Sequence, residues 1–193
     1  MAHESEKIEP LFEAVALRGS VAGLARQMAA DLDESRGEGD TEPLLLAILG
    51  GSLIFLADLV RAIDRPVRYE LMQVGYSEGA ESGAHAVPPD AAERVQNIHY
   101  PIPVEIEGRS VVVLKDVVAS GIIEVYLGEK LRQHGAREVR FAALIDMPDE
   151  RKTDFAVDYG AFTTRRNGIL VGYGLKHEGR YGNLPYIGRL PDA

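Results

Sequence analysis

Apolar residues recur at helical spacing through residues 17–32, LRGSVAGLARQMAADL, with Val21, Leu24, Ala25, Met28, Ala29 and Leu32 on one stripe. This period predicts an amphipathic helix with Ser20 at its N-cap, its apolar face turned to the core or to a second subunit. A polar, glycine-containing loop, DESRGEGDTEP, follows. Leu44 to Leu49, LLLAIL, is then a continuous apolar run of the kind found in strands buried on both faces. The small residues GGS break it, LIFLADLVRAI returns to helical periodicity, and RPVRYELMQVGY reads as a second strand. Residues 77–103 are rich in Gly, Ser and Pro, and so long a loop in a compact domain is functional or disordered.

The pattern resumes with a strand at Ser110 to Val117, a helix from Ile122 to His134 closed by Gly135, and the strand EVRFAALID. Strand, helix and strand with such continuous apolar runs predict parallel pairing with right-handed crossovers, hence an α/β fold. Two shorter strands, FAVDYGAF and GILVGYGL, precede a Gly- and Pro-containing tail, GRYGNLPYIGRL. There is no internal repeat and no low-complexity tract.

Composition narrows the chemistry. At 193 residues and 46% hydrophobic, the chain has the size of one domain with a sizeable core. No apolar run is long enough to span a membrane, and MAHESEKIEP has no apolar signal core behind it, so a cytoplasmic protein is expected. With no cysteine, disulfides, thiolate metal sites and cysteine nucleophiles are excluded. A net charge of −9 argues against a general nucleic-acid binder but leaves room for a local cationic pocket. The histidines, His3, His85, His99, His134 and His177, show no metal-ligand spacing. Ser77 and Ser120 lack evident partners for a hydrolase triad.

Two strand ends stand out: LGGS (Leu49, Gly50, Gly51, Ser52) and KDVVASG (Lys115 to Gly121). Ligands of open parallel sheets bind beyond the carboxyl ends of strands. Small residues at a strand-to-helix turn let backbone N–H groups and the helix dipole approach an anion. Neither stretch fits the Walker loop or a dinucleotide fingerprint, and GGS alone is an ordinary tight turn. Asp116 reads either as a site acid or as a solvated strand terminus, and Lys115 either lines a site or points into solvent. Tyr76 is a lid residue or a plain loop aromatic, and His177, beside Lys176, either lines the pocket or lies at the surface.

Taken together and in order, these segments resemble the type I phosphoribosyltransferases, specifically the hypoxanthine-guanine branch, over residues 8–190. LGGSLIFLADLVRAI resembles the pyrophosphate loop and its helix. VVVLKDVVASG resembles the signature that binds phosphoribosyl pyrophosphate, and VGYGLKHEGRYGNLPYIG resembles the segment that grips the purine and closes the site. The resemblance implies a mostly parallel sheet of about five strands flanked by helices, a small hood from residues 1–15 and 165–193, and a covering loop over 75–103. It also implies transfer of ribose 5-phosphate from phosphoribosyl pyrophosphate to a purine nitrogen with Mg²⁺ on the pyrophosphate, in a homodimer or homotetramer.

By the same resemblance, Ala119, Ser120, Gly121, Ile122 and Ile123 would hold the 5-phosphate, and Asp116 a ribose hydroxyl. Leu49, Gly50, Gly51 and Ser52 would face the pyrophosphate. Ile169 would lie on the purine face while the Leu170 backbone reads its edge, and Gly75, Tyr76 and Ser77 would belong to the lid.

Several side chains depart from the family pattern. Lys115 replaces the first acid of the signature, Ala119 the acid that assists the purine nitrogen, Lys176 the acid that supports Mg²⁺, and Gly182 an arginine. Gly50 stands where a lysine is often found, and the purine-contacting lysine is expected at or near Ala156. The reversals at Lys115 and Lys176 make Mg²⁺ doubtful here and suggest that ammonium groups stand in for it. Two expectations remain open: an active or weakly active purine phosphoribosyltransferase, or a silent relative that binds a purine nucleotide or phosphoribosyl pyrophosphate.

Overall fold

The computed structural model describes residues 8–34, 42–76, 95–99, 104–165 and 168–190. In chain order these form β1 (Glu9–Phe12), α1 (Ala14–Glu34), β2 (Leu44–Ile48), α2 (Ser52–Ala62), β3 (Arg68–Tyr76), β4 (Val95–His99), β5 (Ser110–Val118), α3 (Ile122–Gln133), β6 (Glu138–Asp146), a 3-10 turn (Pro148–Glu150), β7 (Tyr159–Thr163), β8 (Ile169–Val171) and β9 (Ile187–Leu190).

The main sheet has the order β4-β3-β2-β5-β6-β7. The strands from β3 to β7 are parallel to their neighbours, and β4 runs antiparallel to β3 at the edge. The fully apolar strands lie at its centre because helices cover both faces. Leu45, Ala47, Val112 and Leu114 pack under α1 and α2, whereas Leu44, Leu46, Val111 and Val113 pack under α3. A continuous apolar run therefore serves two cores by simple alternation. A second sheet of order β1-β9-β8 is antiparallel and joins the two ends of the chain.

Four local expectations change. The first helix begins at Ala14, with Ser20 inside it and not at its cap. Leu17 is fully buried on the same stripe as Val21 and Leu24, so tertiary packing extends the helix by nearly two turns. Residues 95–99, read as loop, supply the edge strand β4. The strand expected across FAVDYGAF starts only at Tyr159. The stretch GILVGYGL pairs only at Ile169–Val171, because positive φ at Gly172, Tyr173 and Gly174 turns the chain out of the ladder. Among the described residues no helix is long and apolar enough to cross a membrane.

A candidate anion and ribose site at the carboxyl edge of the sheet

Strands β2 and β5 pair in parallel, so the loops that leave their carboxyl ends are neighbours. After Ile48 the chain turns through Gly50, at φ +149°, and Gly51 becomes the N-cap of α2. A Cβ on Gly51 would lie 2.4 Å from Asp116 Oδ2 and 2.8 Å from Leu175 Cδ2, so a side chain there would displace the Asp116 carboxylate from its present place. The Gly51 N–H donates to Asp116 Oδ2 at 3.1 Å, and the Ser52 hydroxyl donates to the Ile48 carbonyl, closing the turn on itself.

After Val118, residues Ala119, Ser120 and Gly121 form the second turn, and Gly121 caps α3 with φ +79°. Its carbonyls are tied down from one side. Arg151 donates to Val118 O at 3.2 Å and to Ala119 O, and Lys152 N–H donates to Ser120 O at 2.9 Å. In a planar trans peptide the next N–H points opposite to the bonded carbonyl. The amides of Ala119, Ser120 and Gly121 therefore face the other way, beside the first-turn amides of α3, which have no intrahelical acceptor. One of these, the Ile122 N–H, donates to Ser120 Oγ at 3.4 Å, and the turn is a candidate anion cradle. Arg151 is itself held by an ion pair with Asp146 and by the Phe155 carbonyl at 3.1 Å.

Asp116 is nearly enclosed, with its side chain 14% exposed. Oδ1 accepts from Val117 N–H at 2.8 Å and lies 3.2 Å from Lys115 Nζ, while Oδ2 holds the Gly51 amide. The two strand-end loops are thus joined through one carboxylate. Lys115 is an interior partner of that carboxylate rather than a solvated side chain.

The segment after β8 closes on the same edge. A Cβ on Gly174 would meet Gly51 O at 2.5 Å, and the Tyr173 hydroxyl donates to Asp58 Oδ2 at 2.6 Å, fastening this segment to α2. Ile169 and Leu170 lie in β8, with Leu170 opposite Arg189 of β9. The departures at 176 and 182 are linked, since a Cβ on Gly182 would lie 2.7 Å from Lys176 Cγ. The stem of Lys176 occupies space that a larger residue at 182 would need.

Other expected positions fare differently. Ala156 is exposed ahead of β7, next to Phe155, whose carbonyl accepts from Arg151. The residue that leaves β6 at the carboxyl edge is the buried, apolar Met147. Gly75 and Tyr76 are strand residues paired with β4, not loop. Ser77, and the remainder of the expected covering loop at 77–94 and 100–103, lie outside the described residues.

Sequence reading missed Arg151 and Glu124. The first sits in a charged surface-like run, ERK, with no spacing that ties it to the signature. The second lies in the first turn of α3, only 4% exposed, on the apolar stripe with Ile123 and Leu127. An acid on that stripe was the available signal. Burial pushes its carboxyl above the ordinary value of 4.5, opposed first by the charge of Lys115 and then, after its own backbone N–H, by Arg151. A carboxyl raised in the fold favours the folded chain below about pH 4.5 and loses that advantage as pH rises through its folded value. Glu124→Gln is therefore expected to be more stable than the parent at pH 7, with the gap closing below pH 4.5. Urea denaturation across pH checks this.

For the Mg²⁺ that the resemblance implies, the nearest carboxylate is already engaged: Asp116 accepts from the Gly51 and Val117 amides and lies 3.2 Å from the Lys115 ammonium.

The chain is thus an open α/β sheet in which two glycine-containing turns at adjacent strand ends are bridged by one aspartate. The chain belongs to the phosphoribosyltransferase family: the family model for the phosphoribosyl transferase domain matches residues 18–178. Within that family it is of the purine type. It is 30% identical over 194 aligned residues to the hypoxanthine-guanine phosphoribosyltransferase of Bacillus subtilis, covering 100% of this chain and 97% of the relative. A crystal structure of the Bacillus anthracis hypoxanthine-guanine phosphoribosyltransferase superposes with a TM-score of 0.76 at 29% identity, covering 95% of this chain and 99% of the other. A Trypanosoma cruzi hypoxanthine phosphoribosyltransferase, studied for the role of its C-terminal region in oligomeric state and activity, gives 0.79 at 27%, covering 98% and 93%.

Proposed function

We propose that the protein binds phosphoribosyl pyrophosphate and a purine base at this edge and transfers ribose 5-phosphate to a purine nitrogen, with turnover reduced by its altered side chains. The observation that carries this reading is the Gly51 to Asp116 bridge, which holds both loops ready at one point. The amides from Ala119 to Ile123 and the Ser120 hydroxyl hold the 5-phosphate. On binding, Asp116 exchanges the Gly51 N–H for a ribose hydroxyl, and the freed amide turns to the pyrophosphate beside Gly50. Ile169 covers the base, and the Leu170 backbone reads its edge.

In the reaction the bond from the anomeric carbon to pyrophosphate breaks, a bond to the base nitrogen forms, and the base gives up its proton. Ala119 has no group to take that proton, so water does. Loss of such an acid/base group typically costs about 10²- to 10⁴-fold in rate. Lys115 and Lys176 supply positive charge on the pyrophosphate side, so binding does not require a divalent ion. A lysine suits phosphate as a point charge but cannot bridge two oxygens in fixed geometry.

The replacements at Lys115 and Ala119 favour a second reading, in which the site binds a purine nucleotide or phosphoribosyl pyrophosphate without turnover. Pyrophosphate release from phosphoribosyl pyrophosphate with hypoxanthine, guanine, xanthine or adenine, with and without Mg²⁺, separates the two. Turnover within about 100-fold of the median enzyme rate sinks the silent reading, and none with any base sinks the transferase. Strictly Mg²⁺-dependent binding by calorimetry would refute the role given to the lysines. The relatives' assembly extends to this chain as a homodimer or homotetramer, which a monomer by light scattering would contradict.

A further inference from the structure

The turn that leaves β5 is held from behind by one short segment, residues 151–155. Three successive carbonyls accept from it: Val118 O from Arg151 Nη1 at 3.2 Å, Ala119 O from the same nitrogen, and Ser120 O from the Lys152 N–H at 2.9 Å and the Thr153 hydroxyl at 3.4 Å. The segment also presses on the turn, since a Cβ on Gly121 would lie 2.5 Å from Thr153 Oγ1 and 3.0 Å from Phe155 Cβ. Phe155 anchors it: its ring meets Phe141 edge-on at 5.0 Å between centroids and lies under the Arg151 guanidinium at 5.6 Å. The Arg151 side chain is only 13% exposed, and its other two nitrogens are engaged as well, Nε by Phe155 O at 3.1 Å and Nη2 by Asp146 at the end of β6.

Any donor would satisfy an enclosed carbonyl. A guanidinium does two further things. Its planar fork fixes adjacent peptide planes together, which the point charge of a lysine cannot do. It also sets a cation at the carbonyl end of peptide units whose N–H ends face the cradle, and a peptide polarised in this way is a stronger donor at its N–H.

We infer that Arg151 is a positioning residue for the bound anion: through the Val118 and Ala119 carbonyls it fixes and polarises the amides of Ala119 and Ser120 that meet the sugar phosphate. The inference rests on the 5-phosphate site proposed above and adds the residue that presets it. Arg151 needs no contact with the ligand, because its charge reaches the phosphate through two peptide units. Fixing those units beforehand also removes an ordering cost from binding.

The test uses the full chain and begins without ligand. In ¹⁵N relaxation dispersion, the amides of Ala119 and Ser120 should be quiet in the parent and show microsecond-to-millisecond exchange in Arg151→Lys and Arg151→Met. Calorimetry with ribose 5-phosphate should show about tenfold weaker binding in both variants, although the lysine keeps the charge. Methylguanidinium added to Arg151→Ala should recover part of the lost affinity, and methylammonium should not. Asp146→Asn keeps the arginine but loosens Nη2, so it should give the same changes at smaller size, and it decides the matter if the Arg151 variants do not fold. Quiet amides in every folded variant overturn the inference whatever the ligand does, and so does parental affinity in Arg151→Lys. Mobile amides in variants of a parent that binds no ribose 5-phosphate support the positioning role and refute instead the proposed function.

Discussion

Lys115→Glu, which restores the acid of the family signature, is expected to destabilise the fold at neutral pH by about 3–5 kcal/mol rather than to restore activity. The new carboxylate would stand beside Asp116, from which the lysine ammonium is now 3.2 Å away, and its charge would oppose the buried Glu124, which the lysine charge now favours. Three acids would then share a poorly solvated corner with no lysine between them. Like charges in such a place raise one another's pKa, so the penalty is largest above the ordinary carboxylate range and shrinks as pH falls and the acids protonate. Urea denaturation at pH 7 and pH 4.5 should show this convergence. Adding Glu124→Met should recover part of the lost stability, because it removes one of the three acids and leaves Asp116 beside the new carboxylate. A Lys115→Glu chain as stable as the parent at pH 7 would mean that Glu124 and residue 115 do not interact.

Ala119→Asp is the substitution expected to raise catalysis most, by about 10²- to 10⁴-fold in kcat for pyrophosphate release with a purine base. Residue 119 is half-buried in the amide-lined turn, and its carbonyl, not its side chain, accepts from Arg151. The backbone cradle should therefore survive the change. The added carboxylate would take the proton that water takes in the parent. KM for phosphoribosyl pyrophosphate should move little, since the amides that grip the phosphate are unchanged. If kcat stays at the parent's level, the departures at Lys176 and Gly182 limit the reaction instead. Because their side chains compete for one space, they would have to be reverted together.

Much of this architecture was legible in the order of residues. LLLAIL, SVVVLKDV and EVRFAALID are continuous apolar runs because they lie between two helical layers, and no edge strand could carry them. The small residues of GGS and ASG marked both strand-end turns, because backbone approach needs them: a Cβ on Gly51 would strike Asp116. The limits of α1 and β8 were less legible. Burial of Leu17 against the sheet extends the former, and a run of positive φ after Val171 cuts the latter short.

The sequence by itself determined the fold class, the two small-residue turns at the strand ends, and the replacement of acids by Lys115, Ala119 and Lys176. Those features are local, written in periodicity, in small residues and in the identity of single side chains. Only the tertiary structure decided which distant residues answer them: Arg151 holding the carbonyls of the turn at 119–121, Glu124 buried in the first turn of α3, and Lys176 filling the space left by Gly182. The reason is physical. Charge in a low-dielectric interior is felt across the packed layers rather than along the chain, and no spacing in the sequence records which layer a side chain will face.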